Sequence, residues 1–372
     1  MTKEELKFSE LVELCSRDGF IHAYSYLCHR DCTVSFLGGL KSEDLHYLSS
    51  PERLNKNELS TLHGLMLKSG YSTQEISSKE RSLLVDSADK LLKEIHGTLN
   101  ESCNERFTLE NMKLAMGEFF SEPSMIRESV FYSAEQAFDF QFATLAVERY
   151  KEDSTWLQDN IGFDIEEAYS IYRAANKILS INIEHINLPK DLSGKTTSYL
   201  QFNEIPLEQL IKISNQPKEK VIKFLVMFST NLDDDNISFN SIDDFNIINA
   251  KPVININDTY YLFQLTALAQ SLYESPIFWM RENKTYRKFA DEHRGNFTEE
   301  FTYKKLVSVF GKENVYLNID IFKNASEKVG EIDILAKFGS KYLIVQAKSK
   351  GMTLSSRKGQ VELVKDDFTK AF

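Results

Sequence analysis

Four polar side chains near the C-terminal end of this 372-residue chain have types and spacing that could do chemistry: Asp333, Gln346 and Lys348, with Glu300 ahead of them. Asp333 lies in the stretch Gly330 to Ala336, where acids alternate with apolar residues, and Gln346 and Lys348 end the apolar stretch that starts at Lys341. Side chains alternate faces along a strand, so Glu331 and Asp333 share one face, and Gln346 and Lys348 share one face. Gly339-Ser340 supplies a tight turn between the two stretches, and a hairpin brings those faces together. The expected product is a carboxylate, an amide oxygen and an amine gathered at one sheet edge. Carboxylate and amide oxygens suit a hard divalent cation, Mg2+ or Mn2+, and the amine suits a phosphate.

This pattern resembles the PD-(D/E)XK, or restriction-endonuclease-like, nuclease superfamily, and within it the branch related to the methylation-dependent restriction enzyme Mrr. There the second acid of the motif is replaced by glutamine, giving Asp, a gap, then Gln-x-Lys; here the residues are Asp333 and Gln346-Ala347-Lys348. The family also places a glutamate on the helix before the sheet. Glu300 fits, because Tyr303, Leu306, Val307 and Phe310 follow at helical spacing and Gly311 ends the helix; Glu299 is the neighbouring candidate. The resemblance covers about the last ninety residues. It implies a metal held by Asp333, Gln346, Glu300 and the backbone carbonyl of Ala347. It also implies a Lys348 that orients the attacking water and stabilises negative charge, and a nucleic-acid substrate, with DNA expected. Glu331 is a supporting candidate. The basic loop Lys350, Arg357 and Lys358 is a candidate contact for the nucleic acid. Each residue also has a plainer role: Asp333 in a salt bridge with Lys348, Lys348 returning the strand to water, and Glu300 as an ordinary exposed acid. The related fold adds a strand after its last helix; nothing after Phe372 supplies one, so a truncated chain, or one completed by another segment or protein, is expected.

The net charge of −11 does not suggest a nucleic-acid binder, but its distribution does. From Arg281 onward there are 18 Lys and Arg against 13 Asp and Glu, a local +5 on an acidic chain. Phosphate binding depends on local charge, not on the total. No run of eighteen apolar residues appears, so no membrane span is expected. The cysteines, Cys15, Cys28, Cys32 and Cys103, are too few and too clustered for a disulfide framework, which favours a reducing cytoplasm. Cys28 and Cys32 could face one way on a helix, but no second close pair completes a zinc site, so buried small apolar roles are favoured.

The elements that must position the four residues give an α+β chain: a mostly helical N-terminal and middle region, then a C-terminal restriction-endonuclease-like α/β domain. Residues 1–186 read as a helical regulatory or interaction region, through which a protein partner or a second copy could dock. Residues 187–199 read as a linker, with Pro189 and Gly194 breaking any helix. In 200–275, two proline-started helices and a hairpin turning at Asn257-Asp258 resemble a winged helix. Its lysines, Lys218, Lys220 and Lys223, are too sparse for a groove-reading face, so packing between neighbours is the favoured role. Residues 281–372 form the nuclease-like unit: a helix from Phe297 to Phe310, a strand from Asn314 to Phe322, a loop from Asn324 to Gly330, the two motif strands and a final helix from Val361. A helical region ahead of such a unit is similar to bacterial restriction and anti-phage effectors. The alternative is a non-catalytic nucleic-acid-binding or interaction scaffold that keeps the nuclease-like fold.

Overall fold

Capping decides where two of the first helices start. Thr2 accepts from the backbone of Glu5 while Glu5 reaches back to the Thr2 backbone, and Asn55 and Glu58 repeat the arrangement. The computed structural model describes residues 1–33, 50, 52–106, 123–132, 137–185, 198–231, 236–349 and 351–371. Its architecture is α+β, with helices through the N-terminal and middle regions and the longer strands near the C-terminal end.

Five described helices come first: α1 (Lys3–Cys15), α2 (Phe20–Cys32), α3 (Lys56–Ser69), α4 (Ser78–Arg106) and α5 (Pro123–Phe131). Their apolar stripes meet in one core, including Leu11, Tyr24, Leu27, Leu59, Leu62 and Leu92. Cys15 and Cys28 are buried in it and Cys32 is exposed. Next come α6 (Asp139–Arg149), α7 (Ser154–Asn160) and α8 (Ile165–His185). They share a second core with α9 (Leu207–Ser214), α10 (Lys218–Phe228), α11 (Leu265–Glu274) and α12 (Pro276–Glu282). That core runs from Phe142 to Ala290, so helices on both sides of the expected linker pack together. Residues 187–197 of that linker lie outside the described residues.

Strands β1 (Ser229–Thr230), β2 (Val253–Ile256) and β3 (Thr259–Leu262) form a small sheet, β1 parallel and β3 antiparallel to β2. Asn257 and Asp258 both have positive φ, 50° and 64°, which is what a two-residue hairpin turn matching the strand twist requires. The expected hairpin is present with its turn where the sequence puts it.

The sequence predicts a helix starting at Phe297. The structure instead has one helix, α13 (Arg287–Phe310), that starts ten residues earlier and carries Gly295 in its interior. Its first half belongs to the second core through Ala290. Its second half covers the C-terminal sheet of β4 (Val315–Asn324), β5 (Glu327–Phe338) and β6 (Lys341–Val345), packing Tyr303, Leu306, Val307 and Phe310 on Val315, Ile334 and Ala336. Tertiary anchoring outweighs the glycine penalty: the Tyr286 hydroxyl donates to Asp153 at 2.7 Å, and His293 Nδ1 lies 2.8 Å from the same oxygen. Asp153 is 1% exposed, and its pKa is raised by burial, which these two partners oppose. Trp156 stacks on Tyr286 at 5.1 Å. Tyr286→Phe keeps that stack and removes one hydrogen bond, so a denaturant titration should show a loss of about 1 kcal/mol. An unchanged midpoint would mean that the hydroxyl does not anchor the helix.

The expected loop from Asn324 to Gly330 is a tight turn inside a longer hairpin. Asn324 pairs with Glu327, and the Asn324 side chain accepts from the Ser326 backbone. The polar residues on both sides hid the strands, because this end of the hairpin is exposed and its alternation disappears. Two short helices end the described chain, α14 (Leu354–Arg357) and α15 (Val361–Ala371). Among the described residues no helix is long and apolar enough to cross a membrane.

Candidate active site

Turn geometry sets the site. Gly339 takes the left-handed φ of 61° that a tight turn needs, and Phe338 pairs with Lys341 across it. The ladder continues to Ile334 opposite Val345, so one step further Asp333 stands opposite Gln346. Asp333 is 7% exposed. Its Oδ1 accepts from Gln346 Nε2 at 2.6 Å, and its Oδ2 accepts from the Ala347 backbone N–H at 2.8 Å. Lys348 Nζ lies 3.7 Å from Oδ2 and keeps more than a third of its side chain in solvent. Three of the four candidates and the Ala347 backbone therefore converge.

Glu300 is the exception. It is exposed and pairs with Lys304 at 2.8 Å, one turn on along the outer side of α13. The sheet-facing stripe, Tyr303, Leu306, Val307 and Phe310, runs back through Glu299 instead. Burial raises the Glu299 pKa, the nearby Asp333 charge raises it further, and Lys348 pulls it down. Glu299, then, is the helix carboxylate that feels the site. Glu331 is turned to Lys328, which it meets at 2.7 Å, and Lys328 also bonds Asp320.

Gln346 presents its amide nitrogen to Asp333, whereas the sequence predicts that its oxygen serves a metal. A buried carboxylate draws the donor end of a neighbouring amide, since buried acceptors seek partners. The last torsion of glutamine is soft, so the oxygen can be turned inward at small cost. Among the described residues no three His, Cys, Asp or Glu side chains gather as a metal-holding group. The candidate set has two carboxylates and depends on an amide and a backbone carbonyl for the rest. In kind these donors fit a hard cation. The crowding supports the fit: a cation near Asp333 would offset the Asp333 repulsion that adds to burial in raising Glu299. An ionised carboxylate has about four acceptor positions, so two hydrogen bonds do not exhaust Asp333.

The proposed nucleic-acid contacts are placed elsewhere. Lys358 pairs with Asp244 at 2.5 Å, and the short helix carrying Arg357 packs on α5. Neither pairs with Asp333: α14 packs on α5 and Lys358 is held by Asp244; Lys350 lies outside the described residues. The lysines of α10 are each matched to an acid: Lys218 to Glu208, Lys220 to Glu167 and Lys223 to Glu219. That helix offers no free basic face, in line with a packing role.

One residue near the site carried no sequence signal. The Arg294 guanidinium donates to the Ser349 backbone carbonyl and so ties α13 to the strand end that carries Gln346 and Lys348. No protein-family model matches this chain, and neither does any curated protein or solved structure.

Proposed function

We propose that the chain is a metal-dependent nuclease, hydrolysing phosphodiester bonds of nucleic acid, with DNA the first substrate to test. The observation that carries this reading is the convergence of Asp333, Gln346 and Lys348 around one buried carboxylate. Asp333, Gln346, Glu299 and the Ala347 carbonyl would hold Mg2+ or Mn2+. When bound, that ion would polarise a phosphoryl oxygen and make water a better nucleophile. Asp333 fixes the strand end, holding both the Gln346 amide and the Ala347 N–H. Lys348, more than a third of whose side chain is in solvent, would supply positive charge where a phosphate gains negative charge. By analogy with effectors of similar layout, the helical region would restrain or direct the cleavage, as in bacterial antiviral defence.

Supercoiled plasmid incubated with Mg2+ or Mn2+ should be nicked or linearised, and chelation should stop the reaction. Lys348→Ala should slow cleavage about a hundredfold, the scale of losing one charge-stabilising group. Cleavage that survives chelation, or that is unaffected by Lys348→Ala, would rule out the mechanism.

One observation favours a second reading, a non-catalytic scaffold. Among the described residues β6 is an edge strand, and it exposes Tyr342 and Ile344, 61% and 62% accessible; an apolar edge without a neighbouring strand invites another chain. Oligonucleotide binding without cleavage in any divalent metal would select it.

A further inference from the structure

Helices α6 and α12 both pack on α13, and the three bring three arginines near enough that the charges of two act on the third, Arg294, which lies beside Ser349. Arg149 ends α6 and lies over the rings of Tyr273 and Tyr150, 4.3 and 5.3 Å from their centres. Arg294 comes from α13 and holds the Ser349 carbonyl. Arg281, from α12, pairs with Asp291 at 3.1 Å. It also lines an open depression of about 320 Å³ with Phe278, Glu282 and Arg287.

Guanidinium groups leave water at a high cost unless a carboxylate or phosphate receives their N–H donors. Here the account does not balance. The Nε atoms of Arg149 and Arg294 are both buried without a hydrogen-bond partner. Among the described residues no carboxylate pairs with Arg149 or Arg294, and Asp291 is taken by Arg281. Burial lowers the Arg294 pKa, and the charges of Arg149 and Arg281 lower it further, with Asp291 opposing them. Rings on one side and like charges on the other leave the cluster short of an anion.

We infer that Arg149, Arg281 and Arg294 form a phosphate seat that holds a backbone phosphate of a nucleic-acid strand running to Lys348. Arg149 and Arg294, with no carboxylate partner among the described residues, leave a surplus that suits a phosphate better than a single carboxylate, and their planar forks fit phosphate oxygens two at a time. The link from Arg294 to Ser349 would couple occupancy of the seat to the strand end that carries Gln346 and Lys348. The identity of the strand rests on the nuclease reading; the anion seat does not.

The test uses the full chain with EDTA present, so that cleavage plays no part. The probes are inorganic phosphate, read by thermal shift against chloride at equal ionic strength, and a short labelled oligonucleotide, read by anisotropy across a salt series. Phosphate should raise the Tm of the unsubstituted protein and not that of Arg149→Gln. Oligonucleotide affinity should fall about tenfold in Arg149→Gln, and the slope of log K against log salt should drop by about one. Arg149→Lys should recover part of each. Arg281→Gln is the second variant, for use if Arg149→Gln does not fold. Unchanged affinity and slope in the folded variants would overturn the seat, whatever the cleavage assays show. A phosphate response without oligonucleotide binding would overturn the strand as its occupant. Arginine-dependent oligonucleotide binding without cleavage would support the seat and remove the nuclease reading instead.

Discussion

Asp333→Asn should abolish metal-dependent cleavage while leaving the protein folded. The size of the effect follows from what the carboxylate does. A catalytic ion contributes several kcal/mol of charge stabilisation, and each ~1.4 kcal/mol is tenfold in rate, so a loss of about a thousandfold is expected. Asparagine keeps the shape and still offers one oxygen, which can accept from the Ala347 N–H or the Gln346 amide. Asp333→Ala is the less informative change. It leaves both donors without an acceptor in a buried place, at about 1–3 kcal/mol each, and an inactive variant could then be a misfolded one. The pair of substitutions thus separates chemistry from structure. Melting of Asp333→Asn within a few degrees of the unsubstituted protein, with cleavage gone, supports the assignment. Full cleavage by a folded Asp333→Asn protein would remove it.

Much of this site was legible because hairpin geometry turns sequence distance into spatial opposition. Once Gly339-Ser340 is the turn, pairing Phe338 with Lys341 leaves no choice but to bring Asp333 opposite Gln346. The helix offered no such arithmetic. Counting back from Tyr303 and Leu306 by three or four residues reaches either Glu299 or Glu300, and the packing of that stripe on the sheet decides between them, leaving Glu300 outside beside Lys304. The start of α13 was hidden for a different reason. Its anchors, Tyr286 and His293, bond Asp153, which is more than 130 residues away, and a local pattern cannot show that. The arginine cluster is illegible on the same ground, since Arg149 and Arg294 meet only through packing of α6 and α13. Between β4 and β5 the polar turn was visible but the strands beside it were not, because alternation marks a strand only where one face is covered.

Glu58→Gln should stabilise the protein at alkaline pH and leave it unchanged in acid. Glu58 is buried in the first turn of α3, where burial pushes its pKa up from 4.5 to about 7. The Asn55 backbone N–H, which donates to it at 2.8 Å, and the charge of His96 work against that rise, while Asp31 and Asp89 add to it. A carboxyl whose folded pKa lies above its unfolded one binds its proton more tightly in the native state. Its contribution is intact below about pH 4.5 and is lost as the pH rises through about 7. The shift corresponds to roughly 3 kcal/mol at pH 8.5, at ~1.4 kcal/mol per pKa unit. Glutamine stays neutral and can still accept from Asn55, so the capping box survives. The expected gain is a Tm higher by roughly 4 °C at pH 8.5. The unsubstituted protein alone cannot display this, because His63 acts in the opposite direction. Buried among Tyr24, Tyr71 and Phe263 with its pKa lowered to about 3, it costs stability as the pH falls from 6.5. The two partly cancel between pH 4.5 and 6.5, so the informative quantity is the difference between the variant and the unsubstituted protein at each pH. A gain of equal size at pH 4.5 and 8.5 would show that packing, not the proton on Glu58, is responsible.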